Sequence, residues 1–297
     1  MSGHSQGLRK PIIQPDAIRE VANGLWVIPD TDYTPFVPNV GIAVGARAAL
    51  IIDTGFGGDN ARAVLQQAHR LAGQRPIYLT HTHCHPEHGF GANAIDDEVT
   101  TVCNTAQWQE LQEKGAAILR MFRDMLPPLA PMLDGVTFLP PRIQYSGFLG
   151  LDLGGIAVEF HEVGGAHSRG DQCVLVRTSK SALFVGDLIE ERHFGGIADN
   201  ESRVGVWISR LAEFEMLRPD VVVPGHGHIG DSSLIAAYRE HFELAVRRVG
   251  ELREAGQIGE AQIVENVTAE LIERYPDWLG PEWAKRVVEN LTWPSRR

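Results

Sequence analysis

The sequence predicts an α/β fold, because short apolar runs of strand length alternate with stretches of helical periodicity. The strand-like runs lie at 39–44, 48–52, 76–80, 156–163, 173–176, 182–189 and 221–223. Helical spacing of apolar residues appears at 59–72 and again at 203–217. Apolar runs of about 4–8 residues are typical of buried strands, whereas apolar residues that recur every three or four positions indicate helices. With 297 residues, of which 43% are hydrophobic and 22% charged, the chain can bury a sizeable core.

The beginning of the chain predicts a polar arm followed by paired strands. Residues 1–17 contain several glycine, serine and proline residues, and we expect a loose N-terminal arm there. A strand at 18–21, a turn at Asn23-Gly24 and a strand at 25–29 come next. Asp59 or Asn60 can cap the helix at 59–72, whose pattern ends at Gly73. Strand, helix and strand in this order are typical of an α/β domain.

The middle and the end of the chain predict a helical insertion and a helical extension. A strand around 99–103 leads into a helical tract at 105–125, and Pro127, Pro128 and Pro131 close an insertion that covers about 105–133. Strands at 136–139 and 156–163 follow. C-terminal helices are predicted at 233–254, 263–275 and 284–291. We therefore expect one domain at 18–231 and a helical extension at 232–297 packed on it.

Charge and cysteine content limit the classes of partner and compartment. The formal net charge of −11 disfavours a nucleic-acid substrate held through its phosphates. Cys84, Cys103 and Cys173 show no CxxC spacing, so neither a disulfide framework nor a cysteine-rich zinc site is predicted. The first ten residues lack a hydrophobic region of signal-peptide length, and no apolar run approaches membrane-spanning length. These patterns predict a cytoplasmic protein that acts on a small molecule, and they leave the oligomeric state open.

The segment Thr82-His83-Cys84-His85-Pro86-Glu87-His88 carries the strongest chemical signal in the sequence. It follows the apolar run at 76–80 and continues into a glycine-containing stretch. His83 and His85, two apart on an extended backbone, can point the same way, and Glu87 and His88 lie just past the turn at Pro86. Imidazole nitrogens with a carboxylate suit zinc, and also iron or manganese. The segment therefore predicts a metal-binding loop at the end of a strand.

This H-x-H-x-E-H segment resembles the H-x-H-x-D-H signature of the metallo-β-lactamase superfamily, with Glu87 in place of the usual aspartate. Four further pieces of the superfamily pattern follow in the expected order around the loop. They are Asp53 after a buried strand, His167 in Gly164-Gly165-Ala166-His167-Ser168-Arg169-Gly170-Asp171, Asp187 after the strand that begins at Ala182, and His226 in Pro224-Gly225-His226-Gly227.

The resemblance implies a four-layer αβ/βα sandwich with metals at one edge of its two sheets. It implies one metal held by His83, His85 and His167, and a second held by Glu87, His88 and His226. Asp187 would bridge the two metals, and zinc, two ions per chain, is the expected cofactor. Asp53 would brace the metal loop by hydrogen bonds without binding metal. His81 is expected to be a neighbour of the site, Cys84 to be structural, and His228 to lie either beside the site or in solvent.

The resemblance further implies a metallo-hydrolase that uses a metal-bound hydroxide on a small ester, lactone, thioester or β-lactam-like substrate. Asp187 and Glu87 would be its catalytic carboxylates, and Glu87 would supply or orient the proton for the leaving group. Because glutamate is one methylene longer than aspartate, three outcomes stay open: an adjusted dinuclear site, a weak second site, or a single metal with Glu87 as general base.

The sequence leaves two alternative functions open, and it predicts a lid over the substrate pocket. A mononuclear iron dioxygenase of the persulfide dioxygenase type and a ligand-binding protein with a degenerate metal site are the alternatives. The helical insertion lies where superfamily members place a helical element over the active site. We therefore expect it to form a lid, with Met121, Phe122 and Met125 facing the substrate.

Overall fold

A computed structural model of the chain describes residues 9–30, 32–197 and 201–292, which form two β-sheets with helices on their outer faces. The strands of this part of the chain are β1 (Arg19–Ala22), β2 (Leu25–Ile28), β3 (Val40–Val44), β4 (Ala49–Ile52), β5 (Ile77–Thr80), β6 (Thr100–Asn104), β7 (Ile143–Tyr145), β8 (Phe148–Asp152), β9 (Ala157–Glu162), β10 (Gln172–Arg177), β11 (Ser181–Glu190) and β12 (Val221–His226). Its α-helices are α1 (Gly58–Ala72), α2 (Pro86–Gly89), α3 (Thr105–Met125), α4 (Val204–Leu217), α5 (Ser233–Ala255), α6 (Glu260–Arg274) and α7 (Pro281–Thr292).

The two sheets pack face to face and confirm the predicted α/β sandwich. The first sheet has the order β1-β2-β3-β4-β5-β6-β7, and the second has the order β12-β11-β10-β9-β8. A shared core between them includes Leu25 and Leu50 from the first sheet and Phe160 and Phe184 from the second. Helix α1 packs on the outer face of the first sheet, and α4 and α5 pack on the outer face of the second. Burial on both faces explains why central strands such as β3 and β4 are apolar throughout.

The topology gathers the predicted site residues at one edge of the sandwich. Strands β4 and β5 run parallel in the first sheet, as do β11 and β12 in the second. Asp53 follows β4, the metal loop follows β5, Asp187 lies in β11, and His226 ends β12. Because parallel strands end at the same edge of a sheet, these residues meet although the chain separates them widely.

One predicted strand is wrong, and a pair of strands was missed. Residues 136–139 form no strand, whereas β7 and β8 lie a few residues later. β7 pairs with β6 at the edge of the first sheet, which leaves no strand for residues 136–139 to pair with there. Phe138 packs instead against Phe90, with ring centroids 4.9 Å apart, and beside Gly115 of α3. Its apolar character therefore reflects packing under a helix rather than a place in a sheet.

The predicted N-terminal arm is anchored where the structure describes it. Residues 1–8 lie outside the described residues. The backbone N–H of Ile13 donates to Asn60 Oδ1 at 3.0 Å, and Asn60 Nδ2 donates to the Pro11 carbonyl at 2.6 Å. Ile13 is buried against α1 in the core of the first sheet. The expectation of a loose arm is thus wrong for this stretch, because one buried apolar side chain and the Asn60 amide hold it.

The C-terminal helices share a core with the second sheet. Buried side chains of α5, α6 and α7, such as Phe242, Val267 and Val287, form one cluster with Leu175 of β10 and Leu183 of β11. Most of the described part of the predicted extension is thereby fastened to the sheet that carries Asp187. Within the described ranges, no helix combines the length and the apolar composition needed to cross a bilayer.

Candidate metal centre

Two groups of ligand-type side chains meet at the edge where β5, β11 and β12 end. The first cluster consists of His83, His85, His167 and Asp187. The second cluster consists of Glu87, His88, Asp187 and His226. Within each cluster, one candidate ligand atom per residue lies within 4.8 Å of all the others. The structure therefore brings together all seven residues that the sequence predicted as metal ligands, and it divides them into the two predicted sets.

Asp187 belongs to both clusters and turns a different oxygen to each. Its Oδ2 lies 3.7 Å from His83 Nε2 and 3.8 Å from His167 Nε2. Its Oδ1 lies 3.1 Å from His88 Nε2 and 3.5 Å from His226 Nε2. A carboxylate with one oxygen in each of two histidine groups has the geometry that a ligand bridging two metals requires.

The turn at Pro86 explains how one short segment serves both clusters. Pro86 is the first residue of α2, a position at which its missing N–H and fixed φ are tolerated. The backbone of His85, just before it, is still extended, with φ −73° and ψ 154°. The change from extended to helical backbone separates the directions of the side chains before and after Pro86. His83 and His85 therefore face the first cluster, and Glu87 and His88 face the second.

In His167 and His226, a backbone carbonyl accepts a hydrogen bond from the ring nitrogen Nδ1. His167 Nδ1–H donates to the carbonyl of Gly196 at 2.7 Å, and His226 Nδ1–H donates to the carbonyl of Val37 at 2.9 Å. A proton held on Nδ1 leaves the Nε2 lone pair free, and in both residues Nε2 is the atom that faces Asp187. The hydrogen bonds thus select the tautomer that can bind a metal.

Asp53 lies beneath the metal loop and outside both clusters. Its carboxylate accepts hydrogen bonds from Thr82 N at 2.7 Å, from Thr82 Oγ1 at 2.9 Å and from His88 Nδ1 at 2.9 Å. The backbone of Asp53 adopts φ +66°, a value that costs energy for a residue other than glycine. Asp53 adopts this conformation directly after β4. The three hydrogen bonds to its carboxylate offset the cost.

Two glycines leave room for this close packing. A Cβ atom at Gly225 would lie 2.0 Å from Asp187 Oδ1. A Cβ atom at Gly186, where φ is +52°, would lie 2.5 Å from both Cβ and Oγ1 of Thr82. Any larger residue at either position would displace the bridging carboxylate or the metal loop.

The donor atoms of the clusters fit divalent cations. Among the described residues, His83 Nε2, His88 Nε2, Glu87 Oε2 and Asp187 Oδ1 are buried and have no hydrogen-bond partner. Buried polar atoms without partners are rare, because each costs about 1–3 kcal/mol. Four such atoms at the centre of a group of histidines and carboxylates are explained if metal ions supply the missing interactions.

Opposite charges at the centre shift the pKa values of its buried groups. Burial alone would lower the pKa of His88, but the carboxylates of Asp187 and Asp53 outweigh it and raise that pKa well above the usual histidine value. Burial alone would raise the pKa of Asp187, but the imidazoles of His88, His226 and His83 lower it well below the usual aspartate value. Burial lowers the pKa of His83. The two carboxylates thus favour the protonated form of His88 in the metal-free centre.

Metal binding is therefore expected to release a proton from His88 and to weaken as the pH falls. Because the pKa of His88 is raised in the metal-free protein, the second cluster should approach full affinity only above the usual histidine pKa of about 6.5. Zinc titrations between pH 5.5 and 8.5, in two buffers of different ionisation enthalpy, measure both the affinity and the protons released. A second-step affinity that is constant over this range would contradict the expectation.

Three neighbouring residues that the sequence left outside the ligand sets are outside both clusters. The side chain of His228 is 53% exposed, and its Nδ1 lies 2.7 Å from the hydroxyl of Tyr33, which also donates to Glu191. The His81 carbonyl accepts a hydrogen bond from Gln172 Nε2 at 2.6 Å. Cys84 is buried, and burial and the nearby Glu110 carboxylate raise the pKa of its thiol. His228 therefore lies at the rim of the centre.

The predicted substrate-facing residues of the helical insertion do not line the cavity along α3, and their contact with substrate stays a prediction. Phe122 packs on Phe36 and Phe56, with ring centroids 5.7 and 6.3 Å away. Met121 and Met125 are 46% and 68% exposed. A cavity of about 60 Å³ does lie along α3, but none of these three residues lines it. It is lined by the beginning of the helix, including Trp108, because the start of α3 is the part that packs beside the metal loop.

Two acidic residues near the centre were missed by sequence reasoning. Asp171 accepts hydrogen bonds from the backbone N–H groups of His167 and Ser168 and thereby shapes the loop that presents His167. Its position four residues after His167, at the end of the turn Ser168-Arg169-Gly170-Asp171, could have predicted this role. Glu190 lies near the centre, where burial and the carboxylates of Asp187 and Glu87 raise its pKa well above the usual value. Nothing local in the sequence marks Glu190.

Comparison with protein families identifies one match. A profile of the metallo-beta-lactamase superfamily matches residues 33–226, the span that contains all the residues of both clusters. A comparison with curated proteins finds no match.

Solved structures with a similar fold include two kinds of enzyme. The stereoselective inverting sec-alkylsulfatase Pisa1 from Pseudomonas sp. is 17% identical, with a TM-score of 0.70 over 92% of this chain and 49% of that chain. The metallo-beta-lactamase from Pontibacter korlensis is 19% identical, with a TM-score of 0.60 over 75% of this chain and 98% of that chain. The DIM-1 metallo-beta-lactamase is 20% identical, with a TM-score of 0.58 over 75% and 94% of the respective chains. This chain thus spans about half the length of the sulfatase.

Proposed function

This chain belongs to the metallo-β-lactamase superfamily, and we propose that it is a metal-dependent hydrolase of a small ester, lactone, thioester or β-lactam-like substrate. One observation carries the proposal: Asp187 turns one oxygen to each of two buried clusters, so that a single carboxylate can serve two metal ions. Two metal ions that share a carboxylate ligand are a recurring arrangement in hydrolytic enzymes.

The two clusters indicate which residues would bind each proposed metal ion. His83, His85 and His167 would hold one ion, and Glu87, His88 and His226 the other, with Asp187 shared. Histidine and carboxylate donors favour zinc, although manganese and iron accept the same ligands. When bound, two such cations supply Lewis acidity for the substrate and lower the pKa of a water molecule. No nucleophilic side chain is then required.

The chain itself supplies orientation, water exclusion and a proton. Glu87 is buried, its Oε2 has no hydrogen-bond partner among the described residues, and burial raises its pKa. In the proposed reaction Glu87 supplies or orients the proton that the leaving group takes up. Asp53 keeps His88 in place through Nδ1, and Gly196 does the same for His167. Burial of the clusters strengthens each of these interactions by excluding water.

The position of Glu87 favours an adjusted dinuclear site over a single-metal site. Its carboxylate lies with His88, Asp187 and His226 in spite of the extra methylene group. The helical turn α2 begins one residue before Glu87. From this turn the longer side chain of Glu87 reaches the second cluster. We therefore propose two metals per chain, and the iron dioxygenase and the degenerate binding site become outcomes of the test.

The test combines metal content with turnover. Elemental analysis of the purified protein is expected to give about two equivalents of zinc or manganese. Removal by a chelator should abolish hydrolysis, and re-addition of two equivalents should restore it. The screen covers p-nitrophenyl esters, lactones, thioesters, β-lactams and, because a sec-alkylsulfatase shares the fold, alkyl sulfates. One equivalent of iron with oxygen uptake, or a folded protein that retains no metal, would overturn the proposal.

A further inference from the structure

We propose that Asn290, in the C-terminal helix α7, is a positioning residue for His167, so that the C-terminal helices set the metal affinity of the first cluster. The inference rests on the proposed function, since it takes His167 as a metal ligand. Asn290 belongs to neither cluster. It acts through a chain of hydrogen bonds that ends on the backbone of His167.

The backbone of His167 is held from the side of α7. Ser202 Oγ donates to the carbonyl of His167 at 2.5 Å. The carbonyl of Ser202 in turn accepts from Asn290 Nδ2 at 2.9 Å. Ser202 and the His167 side chain are both buried, so water competes little for the bond between Ser202 Oγ and the His167 carbonyl. A shift of the Asn290 amide would thus pass through Ser202 to the peptide that carries the His167 ring.

The other end of the same amide fixes the start of α4. Asn290 Oδ1 accepts the N–H of Val204, the first residue of α4, at 3.3 Å. Arg203 at the N-cap provides no side-chain cap, although its backbone N–H donates to the Gly165 carbonyl at 3.0 Å. Asn290 therefore caps α4 from another helix and fixes Ser202, two residues earlier, relative to that helix.

The ring of His167 is held by the C-terminal region as well. The loop after β11 presents the Gly196 carbonyl that accepts His167 Nδ1–H. This loop pairs with the segment between α6 and α7: Phe194 N donates to the Leu279 carbonyl at 3.1 Å, and Leu279 N donates to the Arg192 carbonyl at 2.7 Å. The C-terminal region thus constrains both the backbone and the Nδ1 atom of His167.

The second cluster is held by a different part of the chain. His226 Nδ1–H donates to the carbonyl of Val37, and His88 Nδ1–H donates to Asp53. Both partners come from the N-terminal half and from the first sheet or its loops. A perturbation at Asn290 should therefore weaken the first metal site and leave the second nearly unchanged.

The Asn290→Asp variant tests this selectivity, because it keeps the acceptor for Val204 N and replaces the donor to the Ser202 carbonyl with a carboxylate oxygen. Cobalt(II) titrations followed by visible absorption resolve the two binding steps of the zinc-free protein. We expect the affinity of the first cluster to fall about tenfold, the lower end of what lost outer hydrogen bonds cost metal sites. Asn266→Asp, on the exposed face of α6, makes the same change of charge and should match the wild type.

A double-mutant cycle separates positioning from general destabilisation. If Asn290 acts through Ser202, then Ser202→Ala should weaken the first step by a similar factor, and the double variant should be little weaker than either single variant. An Asn290→Asp protein with wild-type affinity, equal weakening of both steps, or fully additive effects would overturn the inference. Failure of the wild-type protein to bind cobalt would instead remove the proposed function itself.

Discussion

The Asp187→Ala variant is expected to bind both metals more weakly and to hydrolyse its substrate at least about a thousandfold more slowly. Each oxygen of Asp187 serves a different cluster, so its removal takes one ligand from both ions at once. Each cluster would keep only three ligands and would lose the negative charge that offsets two cations. Elemental analysis and kcat on the best substrate of the screen measure the two effects.

The fold should survive this substitution, because Asp187 contributes charge to the centre and little apolar packing. Circular dichroism and the unfolding midpoint of the metal-free variant are expected to stay close to those of the metal-free wild type. His228→Ala is the matched control at the rim of the same site, outside both clusters, and should retain two metals. An Asp187→Ala protein with two bound metals and wild-type turnover would refute the assignment of both clusters.

The Glu87→Gln variant is expected to keep the first metal, to lose the second, and to slow hydrolysis by about a hundredfold. An amide oxygen is a weaker ligand for zinc than a carboxylate, and it cannot hold the proton that Glu87 is proposed to supply. Because glutamine has the same shape, the loop should not rearrange. Metal content per chain and the pH profile of kcat check the two parts of this expectation.

A second substitution, Glu87→Asp, keeps the carboxylate and shortens the side chain, so it separates the effect of side-chain length from the effect of charge. If the helical turn α2 can move by the length of one methylene group, aspartate should restore the usual superfamily ligand and tighten the second metal. If the turn is rigid, aspartate should behave like glutamine in metal content. Wild-type stoichiometry and rate in both Glu87 variants would show that this residue takes no part in metal binding or catalysis.

Local spacing determined a large part of the fold and of the site. The helix at 105–125 was predicted with the bounds that the structure has, because its ends are marked by a change of periodicity and by proline. The order of Asp53, the metal loop, His167, Asp187 and His226 resembles the superfamily pattern, and this resemblance predicted which residues meet at one edge. Asp53, the metal loop and His226 lie at the ends of strands, Asp187 lies within β11, and His167 lies in the loop before β10. The ends of parallel strands converge whatever the intervening sequence. Their roles as metal ligands stay predictions until metal is measured.

Contacts between distant parts of the chain could not be predicted in the same way. Residues 136–139 read as a strand, but only packing decides whether an apolar run pairs with a sheet edge or, as Phe138 does, lies under a helix. Met121 and Met125 read as part of an apolar face, although no element covers them in the described structure. An apolar composition indicates that a segment can be buried, but it does not indicate which other element the segment packs against.

The sequence by itself therefore determined an α/β fold and the metal loop at 82–88, because strand length, helix periodicity and ligand spacing are local properties. The resemblance to the superfamily pattern added the sandwich and the ligands that lie far apart in the chain. Only the tertiary structure decided that Asp187 turns one oxygen to each cluster, that Gly225 leaves room for it, and that Asn290 is linked to His167 through Ser202. These features depend on side-chain directions and on hydrogen bonds between residues far apart in the chain. Their geometry is fixed only when the two sheets and the C-terminal helices pack together.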